Sequence, residues 1–158
     1  MSFESSATNL VAANGQGPQV FIRDTCLGAT GPCTPATSLL SAALDGSPAD
    51  ADSAVNGTSL LSTDGRYAVF ASIADNLLPG VPPNSCYVKD TCAGALAGCT
   101  PQLKVVSVDS QGNYLRDCSN GAVGFGVGVI SADGHLALMQ HFDHATNTDQ
   151  AYLILTGF

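Results

Sequence analysis

The chain has 158 residues, a length that fits one domain of roughly 100–200 residues. Apolar residues reach 45% and charged residues only 11%, which allows a sizeable core and excludes global disorder. A net charge of −8 argues against nucleic acid and against an anionic membrane surface, both of which need basic protein surface. Twelve of the thirteen acids are Asp, with Glu4 the exception. Together with 17 Gly and 8 Pro they favour turns over helices.

In chain order, short apolar or alternating stretches predict strands over 2–7, 19–24, 37–43, 58–62, 67–73, 86–90, 103–109, 125–131, 135–142 and 150–156. Turn clusters separate them, including NGQGP (14–18), LPGVPPN (78–84) and DHATNTD (143–149). Asp64-Gly65 and Asp133-Gly134 each precede a strand as a hairpin signal. The best rival for a helix, ATSLLSAAL (36–44), lies opposite the strand-like Lys104–Asp109 in the repeat described next.

Segment VFIRDTC (20–26) matches CYVKDTC (86–92) at an offset of 66 residues. Cys33-Thr34-Pro35 matches Cys99-Thr100-Pro101, and LLSAALDG (39–46) matches VVSVDSQG (105–112), at the same offset. STDGRYAVFAS (62–72) answers SADGHLALMQH (131–141), and FESSATNL (3–10) answers FASIADNL (70–77). Four strands in about 66 residues imply an all-β fold of propeller-like, four-stranded antiparallel blades. The count divides the chain into a partial three-stranded blade over 1–45, a complete blade over 46–112 and a partial three-stranded blade over 113–158. A two-sheet sandwich is the competing fold, but it does not require loop cysteines and turns to repeat together.

About two and a half blades do not close a propeller, for which four is the smallest number. Closure is expected from the remaining blades of a longer chain or from other subunits. The longer chain is preferred, because head-to-tail copies would meet without a D and an A strand. Met1-Ser2-Phe3-Glu4 offers neither the basic nor the apolar part of a secretory signal. No apolar run approaches the roughly 20 residues of a membrane helix, so membrane insertion is not expected.

The six cysteines read as three disulfides rather than as metal ligands. Cys26 with Cys33 and Cys92 with Cys99 share a spacing within Gly-containing loops that can bring their Cβ atoms together. Cys86 and Cys118 remain as a pair peculiar to one repeat, which would tie a strand to the loop before the next blade. Three bridges imply a secreted, periplasmic or cell-surface location.

Asp45, Asp50, Asp52 and Asn56 crowd one loop and are the candidates for a calcium site. The loop lacks the EF-hand Gly and terminal Glu, so a solvated turn with side-chain caps competes with that reading. His141, Asp143 and His144 could contribute to a metal site, yet no further His or suitably spaced Cys completes them, and His135 reads as simply exposed. The turn residues Asp64, Gly65, Asp133 and Gly134 are read as structural. Arg23-Asp24 and Lys89-Asp90 are read as edge contacts of small individual worth. No G-x-S-x-G elbow is present, and GFGVG (124–128) lacks the helix that a phosphate-binding glycine loop needs. No catalytic residue and no cofactor is expected, calcium being the one candidate ligand.

The stretches STDGRYAVFAS and SADGHLALMQH resemble the core of the TolB-type, or PD40 (WD40-like), β-propeller repeat. The surrounding unit is similar to repeats of bacterial secreted propellers, in Asn76-Leu77-Leu78-Pro79-Gly80, Val20-Phe21-Ile22-Arg23-Asp24 and the loop from Cys26 to Cys33-Thr34-Pro35. The resemblance covers nearly the whole chain. His135, Leu136 and Met139 depart from Arg66, Tyr67 and Phe70 of the other copy, and the final strand runs into Thr156-Gly157-Phe158 instead of Asp-Thr-Cys. Such propellers imply a non-catalytic binding or scaffold domain that takes a protein or glycan ligand. The rival functions are a structural subunit that pairs through open blade edges, or the propeller part of a secreted hydrolase.

Overall fold

The computed structural model describes residues 1–55, 60–95, 98–115, 118, 127–143 and 146–158. Among these residues the protein is all-β, with ten strands and no helix. The strands are β1 (Ser2–Ser5), β2 (Gln19–Asp24), β3 (Ala36–Leu39), β4 (Ser53–Ala54), β5 (Tyr67–Ser72), β6 (Ser85–Asp90), β7 (Gln102–Val105), β8 (Val127–Ile130), β9 (Leu136–Asp143) and β10 (Thr148–Leu155). They form three antiparallel meanders in the orders β1-β2-β3, β4-β5-β6-β7 and β8-β9-β10.

Nine strands overlie the stretches the sequence predicts, and the fourth predicted stretch, 58–62, is matched only by the pairing of Leu60 to Ser62 with β5. Instead of 58–62, regular pairing falls at Ser53–Ala54, against Ser72 and Ala71. Residues 58 and 59 lie outside the described set, while Leu61 makes a single bridge to Ala68 beside the Asp64-Gly65 turn. β3 and β7 end earlier than the apolar runs suggest. In both, a serine hydroxyl ends the ladder: Ser41 accepts the Val20 amide and Ser107 accepts the Cys86 amide, each at 3.0 Å.

Because strand side chains alternate between faces, β5 feeds two cores. Tyr67, Val69 and Ala71 face the third sheet, where they pack with Cys86, Val88, Ala137 and Met139. Ala68 and Phe70 face the first sheet, where they pack with Val20, Leu40 and Ala49. All six residues of β5 are therefore buried. The three sheets form a stack in which the second is covered on both sides.

The repeat extends to side-chain pairs. Phe3 lies opposite Phe21 and Phe70 opposite Tyr87, with ring centroids 5.6 and 5.4 Å apart and both pairs stacked. Met139 opposite Tyr152 holds the same register position in the third sheet, without a second ring. Both S-x-D-G turns are built alike. Ser62 and Ser131 donate to Asp64 and Asp133, which in turn accept the amides of Arg66 and His135. Only the second turn also carries a neighbour's ring. A methyl group at Gly134 would overlap Tyr67, whereas the same position at Gly65 faces open space.

Candidate functional site

The cysteines form three disulfides: Cys26–Cys33, Cys86–Cys118 and Cys92–Cys99. The Cα atoms of the two short-loop bridges stand 5.7 and 5.8 Å apart, and Cys26 and Cys92 both adopt a φ of 58°. Cys86–Cys118 is buried and ties β6 to the stretch that leads to the third sheet. The Cys118 amide donates to Asn84 as the Ser53 amide donates to Pro18. Cys118 thus takes the place of Ser53, although the 66-residue offset of the repeat aligns it with Asp52.

Each short-loop bridge sits beside an aspartate that ends a strand. Asp24 accepts the Cys26 amide at 2.8 Å, and Asp90 accepts the Cys92 amide at 2.9 Å. The surroundings then diverge. Asp90 is buried and takes a two-pronged bond from Arg66, with Nε at 2.8 Å and a terminal nitrogen at 2.7 Å. Arg66 also lies over the Tyr67 ring, 4.9 Å from its centroid, and donates to the Cys99 sulfur. Its guanidinium holds the Asp90 carboxyl below the ordinary carboxylate value. Asp24 is exposed, and Arg66–Asp90 is the one ion pair among the described residues.

Lys89 departs further from the expected edge contact. Its ammonium reaches the first sheet, donating to the carbonyls of Leu40 at 3.1 Å and Ala42 at 2.7 Å. Burial pushes the amine down to about 8. Arg66–Asp90 and Lys89 are therefore partly or fully buried links and not solvated pairs. The sequence could have marked Arg66, since it stands between the turn Asp64-Gly65 and a buried aromatic.

Between the first and second sheets lies a cavity of about 560 Å³, lined by Ile22, Asp24, Leu27, Leu61, Asp64 and Gly65 among others. The corresponding wedge between the second and third sheets is filled. There Phe158 packs on Tyr67 at 5.2 Å, and Lys104 lies 4.2 Å above the Phe158 ring and donates to the Gly157 carbonyl.

Of the aspartates singled out for calcium, Asp45 and Asp50 accept hydrogen bonds through their carboxylates, and Asp52 accepts the Ile73 amide through its backbone carbonyl. Asp45 accepts the amide and hydroxyl of Ser47, which lowers its pKa. Asp50 accepts the amide of Asp75, while its own amide donates to Asn76. Asn56 lies outside the described residues, as does His144, and the side chains of His141 and Asp143 are likewise not described. The metal-spaced groups among the described residues are Asp24 with Cys26 and Cys33, and Asp90 with Cys92 and Cys99. Their sulfurs are committed to disulfides and supply no thiolate.

No family model, curated protein or solved structure matches the chain.

Proposed function

We propose that the chain is a non-catalytic section of a TolB-like, PD40-type β-propeller that serves as a binding and scaffold element in a secreted or cell-surface setting. The observation that carries this reading is the outer face of the third sheet. Leu136, Leu138, Leu153 and Leu155 are all exposed there, with Leu155 at 78%, and Val129 adds to the patch. Leu138 lies opposite Leu153 and Leu136 opposite Leu155, so the patch is continuous across β9 and β10.

The covered sheet explains what such a face is for. Leu136 and Leu138 answer Tyr67 and Val69 of the repeat, and Leu153 answers Val88 by strand register. Those second-sheet residues are buried by the sheet that follows them. The same apolar positions in the third sheet call for the same cover, a further antiparallel sheet of this repeat. An exposed apolar face of this kind marks an interaction surface in a soluble protein. Three disulfides are consistent with an extracellular or otherwise oxidising environment. No helix among the described residues is long and apolar enough to cross a membrane.

Sedimentation of the full chain over a concentration series, with a dye that reports exposed apolar surface, tests the reading. The chain is expected to bind dye and to associate as concentration rises. Leu138→Asp with Leu153→Asp should abolish both while leaving the β circular dichroism intact. A wild-type chain that stays monomeric and dye-silent would overturn the docking face. Turnover of ester, peptide or glycoside substrates would overturn the non-catalytic assignment.

A further inference from the structure

Lys89 and Lys104 are the two lysines of the chain. Lys89 extends from β6 to the first sheet, where its ammonium donates to the carbonyls of Leu40 at 3.1 Å and Ala42 at 2.7 Å. It lines a cavity of about 460 Å³ with Leu39, Ala43, Leu44 and Pro101 on the wall. No carboxylate among the described residues lines this cavity. The charged groups on the surrounding elements are bonded elsewhere. Arg23 donates to Thr37, Asp24 accepts the Cys26 amide, Asp45 accepts from Ser47, Asp90 holds Arg66, and Lys104 donates to the Gly157 carbonyl. The repeat and strand register place Arg23 and Ile154 at the equivalent positions of the other two sheets, so this amine is particular to the second sheet.

We propose that Lys89 is a covalent binding site for short aliphatic aldehydes, held as an imine with the alkyl chain in this cavity. A neutral amine carries two N–H bonds and one lone pair. With both N–H groups donated to Leu40 and Ala42, the lone pair is left for a carbonyl carbon. Attack forms the C–N bond. The two amine protons then leave with the carbonyl oxygen as water, and a C=N bond remains. Protonation of the imine nitrogen restores one N–H, which either backbone carbonyl can accept. The neutral amine is accessible because burial pushes it down to about 8, and no carboxylate on the cavity wall opposes that shift. Leu39, Leu44 and Pro101 favour an alkyl chain by covering it from water. The site goes beyond the docking face proposed above and does not depend on it.

The test is reductive trapping of the full chain with hexanal and cyanoborohydride at pH 8, with alkylation mapped by peptide mass spectrometry. Lys89 is expected to be alkylated at least about tenfold faster than Lys104. At pH 8 about half of its amine is neutral, against under about 1% for an ordinary lysine. The Met1 amine is read on its own peptide and stays out of the ratio. The Lys89 rate should rise with pH to about 8 and level off above it. The preference for hexanal over acetaldehyde should be several-fold greater at Lys89 than at Lys104, since only the longer chain fills the cavity.

Lys89→Arg keeps a cation with donors for the two carbonyls but removes the nucleophile. It should leave Lys104 and Met1 alkylation and the β circular dichroism unchanged. A second measurement needs no variant: in denaturant, the preference for Lys89 over Lys104 should vanish, because the cavity is gone. Equal trapping at the two lysines of the native chain, or a Lys89 preference that survives denaturant, overturns the site. Equal hexanal preference at both lysines also overturns it, because the cavity then holds no alkyl chain. Sedimentation and dye binding at the third sheet are read separately, so the two proposals fail independently.

Discussion

The two Asp-Thr-Cys loops share sequence, spacing and bridge, yet one is locked into the structure and the other stands open. At residues 90–99 a buried carboxylate meets Arg66, Arg66 meets Tyr67, and Tyr67 meets the following sheet. At residues 24–33 the same carboxylate keeps its bond to the cysteine amide but faces a cavity. The difference lies in Arg66 and Tyr67, which open β5 in the same sheet as the 90–99 loop and hold its aspartate there.

The largest effect should come from the one bridge that joins distant parts of the chain. Replacing Cys86 and Cys118 with serine opens a loop with sequence separation 32 and should cost about 4 kcal/mol by loop-closure entropy. Either short bridge, with separation 7, should cost about 2.5 kcal/mol by the same estimate. Denaturant melts of the three double variants measure the series. Equal losses would show that loop length is not what distinguishes them.

Arg66→Met sharpens the comparison next. It leaves the Asp90 carboxylate without its two-pronged partner and should lower stability measurably, whereas Asp24→Asn should change it little. The pair also has an acid signature. Because Arg66 lowers the Asp90 pKa, the contribution is full above the ordinary value of 3.8 and is lost as pH falls below it through the folded value. Arg66→Met should lose that part of the acid transition. If Asp24→Asn matches Arg66→Met in thermal and acid stability, the two loops are not different in the way described.

Lys89 gives the effect most specific to pH. Its amine titrates near 8 in the folded chain and at 10.5 when unperturbed, so the unfolded state binds more protons between those values. Stability should therefore rise with pH from about 8 to 10.5, by on the order of 1–3 kcal/mol, and Lys89→Met should flatten that rise. The two carbonyls that accept from the ammonium oppose the shift, so a flat wild-type profile would mean they outweigh burial.

Much of this architecture is legible in the sequence alone. Strand type followed from Asp-Gly turns and short apolar runs, and the repeat named which turns, serines and cysteines correspond. The fourth strand shows the limit, since Leu60 to Ser62 does pair with β5, through one bridge beside the turn, while regular pairing also falls earlier at Ser53–Ala54. The candidate site was harder to read. Arg66 and Lys89 looked like ordinary surface charges, because nothing in a linear sequence says that a neighbouring sheet will bury their partners. The loop from Asp45 to Asn56 reads as a cation candidate in sequence, which shows the carboxylates but not the amides that Asp45 and Asp50 accept.

The sequence by itself determined the strands, the turns that join them, the equivalence of the repeats and the pairing of the cysteines. These depend on local dihedral preferences and on residues close in the chain. Only the tertiary structure decided that the second sheet is covered on both faces, that Asp90 is clamped while Asp24 is open, and that four leucines of the third sheet face solvent. Those outcomes depend on how sheets stack, and burial is a property of the neighbour as much as of the residue itself.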